Sequence, residues 1–242
     1  MRKIFGRKPV LEAILSNANI EVIYIAYGQH GDAINQIFSA AKKNRVKISQ
    51  VSSQKFNQVC DADNSQGVVA LLSSHYFIDS HTLVKESLKS RYPFLLLLDS
   101  IQDPHNLGAI LRTAECAGVD GVIVTTSQSS PINETVEKIS AGAVSHLKIS
   151  KTSNLNNLIR TLKESGFWIV GSSLQNAKNY NEVDYKIPTA IVIGNEEKGI
   201  RRLIAENCDY LVKIPMKGKV DSLNASVATG ILLFEINRQR SS

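Results

Sequence analysis

Hydrophobic and polar residues alternate along residues 1–75 with two periods, one typical of helices and the other of strands. Helical spacing predicts helices over Arg7–Ser16, Asp32–Arg45 and Gln54–Cys60, and short β-branched or aromatic runs predict strands over Ile20–Tyr27, Val46–Val51 and Gly67–Leu72. These elements predict a small α/β unit.

The alternation of strand and helix patterns is stronger from residue 93 onward. Strands are predicted over Phe94–Asp99, Val122–Thr125, Phe167–Ser172, Thr189–Gly194 and Tyr210–Ile214, and helices over Leu107–Ala117 and Leu223–Arg238. The first of these strands lacks polar alternation, which predicts burial on both faces. Short apolar strands separated by helices predict a parallel sheet covered on both sides, and such sheets bind ligands at the carboxyl ends of their strands.

A polar stretch separates these two regions. Residues 76–92 break the pattern, carry Ser80 and Ser90, and are followed by Pro93. We therefore predict a linker over residues 76–92, part of which is able to form a short helix. It would join a domain over residues 1–75 to a second over residues 93–242, both of the α/β class.

Positive charge is concentrated at the front of the chain. The net charge is +6 at pH 7, and residues 1–75 hold nine Lys or Arg against five Asp or Glu, a net charge of +4. A basic region joined to a nearly neutral one predicts a polyanion partner, with an ordinary basic surface as the alternative. The candidate phosphate contacts are Arg7, Lys8, Lys42, Lys43 and Arg45, each of which is alternatively a solvated surface residue.

Membrane, secreted and zinc-binding classes find no support in the sequence. Apolar runs such as Phe94–Leu98 are far too short to span a bilayer, and no signal peptide is evident. Three cysteines lie far apart, at Cys60, Cys116 and Cys208, so neither a disulfide framework nor a zinc site is predicted. We expect a cytoplasmic protein with reduced thiols, no metal and no membrane partner.

Three strand-to-helix junctions carry the residues suited to chemistry. At the first, after Asp99, either Asp103 or Asn106 is able to cap the following helix, and Arg112 lies in its early turns. An arginine near a helix start opposes the helix dipole unless an anion meets it, so phosphate or carboxylate binding is one interpretation. A solvent-exposed arginine beside a structural cap is the other.

The second junction is flanked by glycines, and the third leads into the start of a helix. Glu196 follows a buried strand between Gly194 and Gly199, at a position from which carboxylates often point into a site. Residues 214–224 form a basic loop leading to a helix for which Ser222 is a suitable N-cap, and a helix start can bind a carboxylate or phosphate. A surface turn and ordinary capping are the alternatives.

Several common enzyme motifs are absent. The sequence contains no G-x-G-x-x-G, no G-x-x-x-x-G-K-[ST], no G-x-S-x-G and no H-E-x-x-H, and its five histidines show no metal-ligand spacing. The dehydrogenase, nucleotide hydrolase, esterase and zinc-enzyme classes are therefore disfavoured.

Taken together, the three junctions resemble the three sequence motifs of the SpoU (TrmH) branch of the SPOUT RNA methyltransferases. The motifs are matched in the same order by residues 103–114 (DPHNLGAILRTA), by residues 193–199 (IGNEEKG), and by residues 214–216 (IPM) with 222–228 (SLNASVA). Residues 4–13 (IFGRKPVLEA) also resemble the family's small substrate-binding domain, which is related to kink-turn-binding ribosomal proteins.

This resemblance implies a fold and a set of site residues. The parallel-sheet domain would be of the SPOUT type, with a deep trefoil knot near the C-terminus and S-adenosylmethionine bound bent inside it. The chain would form a homodimer whose site is completed at the subunit interface. The donor would be bound by Gly194, Ile214, Met216 and Leu223, and the family's functional positions are matched by Asn106, Arg112, Glu196, Ser222 and Asn224.

The implied reaction is methyl transfer to a ribose 2′-hydroxyl of structured RNA. Within the family, the chain is most similar to the enzymes that methylate a guanosine in 23S ribosomal RNA. A transfer-RNA substrate and an adenosine target that confers antibiotic resistance are alternatives. A non-catalytic ribosome-assembly protein and a Rossmann-type oxidoreductase are rivals from other classes, and the latter needs the glycine fingerprint that the sequence lacks.

Overall fold

The computed structural model describes residues 3–16, 18–60, 65–72, 77–219 and 222–241, and the chain divides into two units, residues 1–76 and 77–242. Each unit has hydrophobic clusters of its own, because the buried residues that pack together come from one unit or the other.

The first unit is a four-stranded sheet packed by helices. Its elements are β1 (Lys3–Phe5), α1 (Arg7–Leu15), β2 (Ile20–Ala26), α2 (Asp32–Lys43), β3 (Ile48–Val51), α3 (Ser53–Val59) and β4 (Val68–Leu72). The strand order is β1-β4-β2-β3; β2 and β3 are parallel, and β4 is antiparallel to both of its neighbours. Val10 and Ile14 of α1 and Ile37 of α2 are buried against Ile23 of β2.

Six elements predicted in this region are confirmed to within two residues at each end, and β1 was not predicted. Helix α2 ends at Lys43 rather than Arg45, which has a left-handed φ of 56° and so cannot continue a helix. Helix α3 begins one residue early because the Ser52 side chain caps it, accepting a hydrogen bond from the Lys55 amide.

The second unit is built around a seven-stranded sheet. Its strands are β5 (Phe94–Leu98), β6 (Gly121–Thr125), β7 (Ile149–Thr152), β8 (Trp168–Ser172), β9 (Lys178–Asn179), β10 (Thr189–Ile193) and β11 (Tyr210–Lys213). Its helices are α4 (Ser80–Ser87), α5 (Pro104–Cys116), α6 (Glu134–Ile139), α7 (Leu155–Glu164), α8 (Arg202–Ala205) and α9 (Ala225–Arg240), with 3₁₀ turns at Ala143–Ser145 and Tyr180–Glu182. The strand order is β7-β6-β5-β10-β8-β11-β9, and every pair is parallel.

Both faces of this sheet are covered, as the unbroken apolar strand predicted. Leu96 and Leu98 of β5 belong to the hydrophobic cluster that includes α5 and α9, whereas Leu95 and Leu97 belong to the cluster on the other face with α4 and α7. Successive side chains of a strand point to opposite faces, so an all-apolar strand contributes to both layers. The five predicted strands are confirmed, and β7 and β9 are additional. The trefoil knot stays a prediction.

The stretch predicted as a linker, residues 76–92, contains the short helix α4 that its sequence allowed. Asp79 caps α4 by accepting a hydrogen bond from the Thr82 amide at 3.0 Å, and Leu83 and Val84 are buried in the second unit. Gly121 of β6 makes room for Leu83, since a β-carbon there would lie 2.4 Å from Leu83 Cδ1. Two apolar residues in a polar stretch are enough to dock one short helix.

The three cysteines are free thiols, of which Cys60 is buried and Cys116 exposed. Burial, and then the negative charge of Asp209, raise the pKa of Cys208 to about 12, so this thiol stays protonated at neutral pH and is a poor nucleophile.

None of the helices in the described part of the chain has the length and apolar composition needed to cross a bilayer.

Candidate active site

The three predicted junctions meet at one edge of the seven-stranded sheet. Strand β10 lies between β5 and β8, and β11 lies on the other side of β8, so parallel pairing brings their carboxyl ends to the same edge. A cavity of about 260 Å³ lies there. Its position agrees with the rule that parallel sheets bind ligands beyond the carboxyl ends of their strands.

Six of the predicted site residues line this cavity: Gly194, Glu196, Ile214, Met216, Ser222 and Leu223. All four residues expected to bind the donor are therefore brought together. The cavity is also lined by Ser172, Ser173 and Leu174, which the motif comparison did not single out. The only signal for these residues in the sequence was their place at or just beyond the carboxyl end of a predicted strand, β8, which ends at the same edge of the sheet.

Gly194 is required by the backbone that folds over it. A β-carbon at this position would lie 2.1 Å from the carbonyl carbon of Gly199 and 2.2 Å from the amide nitrogen of Ile200. The loop is closed by two backbone hydrogen bonds between Asn195 and Gly199, of 3.0 and 2.9 Å, and Gly199 has a left-handed φ of 65°. This close approach shapes one wall of the cavity.

A chain of hydrogen bonds joins the three junctions. Asn224 donates from Nδ2 to Oδ1 of Asn106 at 2.8 Å, and Asn106 donates from Nδ2 to Oε1 of Glu196 at 2.8 Å. The other Glu196 oxygen accepts from Asn195 Nδ2 at 3.2 Å. Because an ionised carboxylate only accepts, the amide nitrogen of Asn106 must face Glu196, which leaves its oxygen for Asn224. Asn106 is 9% exposed and links residues 90 and 118 positions away.

At these junctions one of the two alternative caps predicted for the first helix is confirmed, and the cap predicted for the last helix is wrong. Asp103 caps α5, which begins at Pro104, by accepting from the His105 amide at 2.9 Å. Asn224, rather than Ser222, caps α9 by accepting from the Ser226 amide at 2.9 Å. Asp103 therefore leaves Asn106 available for the site, and Asn224 serves both the helix start and the hydrogen-bond chain.

Arg112 does not line the cavity. It lies on α5 six residues after Asn106, is exposed, and makes no hydrogen bond or ion pair with any described residue. The next residue, Thr113, faces Gly230 of α9: a β-carbon added at Gly230 would lie 3.6 Å from Thr113 Cγ2. The structure thus places Arg112 on an open surface of the α5–α9 layer, where an anion can reach it.

The five candidate phosphate contacts of the first unit fall into two groups. Arg7 donates to the carbonyl oxygens of Gln66 and His30 and to the side chain of Gln29, so it ties together loops of its own unit. The remaining four are exposed: Lys8, Lys42, Lys43 and Arg45. Among the residues described, no group of three or more His, Cys, Asp or Glu side chains is placed to hold a metal ion.

Comparison with known proteins identifies the chain's relatives. A family model described as the SpoU rRNA methylase family matches residues 93–234. The chain belongs to the SpoU rRNA methylase family. A second model, described as RNA 2′-O ribose methyltransferase substrate binding, matches residues 3–77 of this SpoU chain.

Two relatives of this SpoU chain cover nearly its full length, and a third covers two thirds of it. A protein of Staphylococcus saprophyticus named as a TrmH family tRNA/rRNA methyltransferase is 40% identical over 98% of the chain and 96% of its own length. The AdoMet-bound rRNA methyltransferase from Sinorhizobium meliloti superposes with a TM-score of 0.61 and 27% identity, covering 98% of this chain and 86% of that one. The TrmH/SpoU tRNA-modifying enzyme of A. aeolicus has a TM-score of 0.59 and 35% identity, and covers 67% of this chain and 82% of its own.

Proposed function

We propose that this SpoU chain transfers the methyl group of S-adenosylmethionine to a ribose 2′-hydroxyl of RNA. The observation that carries the proposal is the single cavity at which the three motif junctions meet, with the Asn224–Asn106–Glu196 hydrogen-bond chain joining them. The bound sulfonium compound supplies an electrophilic methyl group, and the protein must align it with the ribose oxygen.

The residues of the cavity fit such a donor. Ile214, Met216 and Leu223 offer apolar contact of the kind an adenine ring needs, and Gly194 lets backbone approach the ligand closely. Glu196 places a carboxylate in the wall, which favours the positive charge of a sulfonium. Ser222 lines the cavity as well, and its hydroxyl is able to hydrogen bond to the polar part of the donor or the substrate.

The hydrogen-bond chain orients groups rather than exchanging protons with the substrate. Asn106 is held on both sides of its amide, by Glu196 and by Asn224, so its orientation is fixed before substrate binds. Such preorganisation lowers the cost of reaching the transition state, because the polar groups do not reorganise during the reaction.

We assign Arg112 an electrostatic role. A guanidinium remains protonated at neutral pH and is a poor general base, whereas its fork of donors suits a phosphate and the charge developing on an attacking oxygen. Its exposure and lack of partners among the described residues leave all of its donors available to RNA.

The substrate supported best is ribosomal RNA, with a guanosine of 23S rRNA as the specific target. The rRNA methyltransferase of S. meliloti aligns over both units of this chain, whereas the tRNA-modifying enzyme of A. aeolicus covers only 67% of it. The first unit, matched by the substrate-binding model, is thus shared with the rRNA enzyme. Such a function would be exercised in the cytoplasm; a transfer-RNA substrate is the alternative.

Mapping of ribose methylation on total RNA, from cells with and without the gene, tests the proposal. We expect one 2′-O-methyl group to disappear from 23S rRNA, and the purified chain with S-adenosylmethionine to restore it. Loss of a methyl group from transfer RNA would support the alternative. Failure of the purified chain to bind the donor would instead indicate a non-catalytic RNA-binding protein.

We also propose a homodimer formed through α9. Val227 and Phe234 are 51% and 52% exposed, and with Ile231 they lie at helical spacing on one face of that helix. Exposed apolar strips mark interaction surfaces, and the family resemblance names a second copy as the occupant. Because α9 packs on α5, an interface here would lie close to Arg112.

Replacing Phe234 with glutamate is expected to convert the dimer to a monomer, because the half-exposed ring would be replaced by a charge within the proposed apolar contact. Sedimentation velocity measures the change. Leu203→Glu, which alters a 61% exposed leucine on α8, is the matched control and should leave the dimer intact. A wild-type chain that sediments as a monomer at micromolar concentration would contradict the proposal.

Removal of residues 1–76 is expected to weaken RNA binding about tenfold or more, because neutralised phosphates dominate the affinity of proteins for nucleic acid. The donor affinity should not change, since every residue lining the cavity belongs to the second unit, which has its own core. Filter binding with a 23S rRNA fragment and calorimetry with S-adenosylmethionine measure the two affinities. Equal RNA affinity of both forms would refute the role of the first unit.

A further inference from the structure

A completely buried carboxylate lies at the end of β5, outside the hydrogen-bond chain of the proposed site. Asp99 is 0% exposed, and its Oδ1 accepts from Arg201 at both Nε (2.8 Å) and Nη2 (2.7 Å). Its Oδ2 accepts from the backbone amide of the same arginine at 3.0 Å. A buried charge is costly unless it is paired, so this carboxylate depends on Arg201.

Arg201 stands where the cavity loop ends and α8 begins. It occupies the N-cap position of α8 without a side-chain cap of its own, and Asp99 binds the backbone amide at that position. Arg201 therefore attaches the end of the loop of residues 195–200 to β5 by three hydrogen bonds. The other end of this loop continues from β10 through Gly194.

The same loop carries the wall of the cavity. Asn195, Glu196 and Gly199 line it, and the loop lies so close to β10 that Gly194 has no room for a β-carbon. Asn195 Nδ2 also donates to the Ser100 carbonyl oxygen at 3.2 Å, next to Asp99. Displacement of the loop end would therefore move Glu196 relative to Asn106, to which it is hydrogen bonded.

We propose that Arg201 is a positioning residue for the donor cavity: by pairing with buried Asp99, it holds the loop of residues 195–200 in the conformation that lines the cavity. The proposal rests on the proposed function, in which this cavity binds S-adenosylmethionine. Arg201 itself does not line the cavity, so its effect is exerted through the loop.

The test compares Arg201→Met with Arg202→Met. Arg202 is the adjacent arginine, but its side chain is 89% exposed and pairs with Glu206 on the surface of α8. For Arg201→Met we expect the affinity for S-adenosylmethionine to fall about tenfold or more and the KM for the donor to rise accordingly, because the buried Asp99 carboxylate loses its half-exposed cation and the loop end loses its attachment. The KM for RNA should change little, and Arg202→Met should behave as wild type. Arg201→Lys keeps the charge without the fork and should give an intermediate affinity.

A double variant separates positioning from stability. Arg201→Met also lowers the melting temperature, because Asp99 is left buried without its cation. In Asp99→Asn/Arg201→Met the buried charge is gone, so the melting temperature should recover while donor affinity stays reduced. Recovery of donor affinity together with the melting temperature would overturn the proposal, as would wild-type affinity in Arg201→Met. Failure of the wild-type chain to bind the donor would refute the proposed function itself. Normal binding by the wild type together with normal binding by Arg201→Met would refute only the positioning role of Arg201.

Discussion

Replacement of Arg112 with alanine is expected to lower kcat for ribose methylation by about 10²–10³-fold, the typical cost of removing one donor that stabilises charge in the transition state. The affinity for S-adenosylmethionine should remain that of the wild type, because Arg112 does not line the cavity. The structure around it should be undisturbed as well, since the side chain is exposed and bonds to no described residue.

Single-turnover methylation of an RNA fragment, together with calorimetry of donor binding, measures both quantities. Arg160→Ala is the matched control: Arg160 is an exposed arginine of α7, on the opposite face of the sheet from α5. Arg112→Lys should retain part of the activity, because a lysine supplies the charge but not the planar fork of donors. A kcat near that of wild type in Arg112→Ala would remove this arginine from the active site.

The parts of the fold that could be predicted are those in which apolar residues repeat locally. Strand β5 was predicted to be buried on both faces because Phe94–Leu98 contains no polar residue, and its side chains do contribute to both hydrophobic layers. The bounds and docking of helix α4 were not predicted, because Leu83 and Val84 are its only buried apolar residues in a stretch that is largely polar. Local patterning cannot tell where so small an apolar surface will dock.

The candidate site also has a part that the sequence predicted and a part that only the folded chain reveals. Glycines and polar residues at strand ends located the edge of the cavity, and the motif resemblance selected Asn106 and Glu196. Neither the strand-end pattern nor the motif resemblance predicts that Asn106 and Glu196, which lie 90 positions apart, are hydrogen bonded to one another. The pair of Asp99 and Arg201 spans 102 positions and follows no periodic pattern, so only the folded chain reveals it.

Replacement of Gly194 with alanine is expected to abolish measurable donor binding. The new β-carbon would lie 2.1 Å from the Gly199 carbonyl carbon and 2.3 Å from its oxygen, distances at which backbone must move. Ordinary contact requires a separation of about 3.5–4.0 Å between carbon atoms, so the loop would have to shift by more than about 1 Å. Displacement on that scale takes the cavity wall out of contact with the donor, because a gap of about 1 Å already forfeits up to half of a dispersion contact.

Calorimetry with S-adenosylmethionine and thermal melting measure this effect, and two other glycines of the same edge calibrate it. Gly218→Ala meets no atom within 4 Å and should bind the donor as wild type does. Gly199→Ala also has open space, but its φ of 65° strains an alanine, so its loss should be smaller than that of Gly194→Ala. The order of the three donor affinities separates two explanations. Loss of backbone flexibility would affect all three variants, since each removes a glycine, whereas a steric clash with the loop backbone affects Gly194→Ala alone. Wild-type donor affinity in Gly194→Ala would mean that the loop of residues 195–200 does not form the donor site.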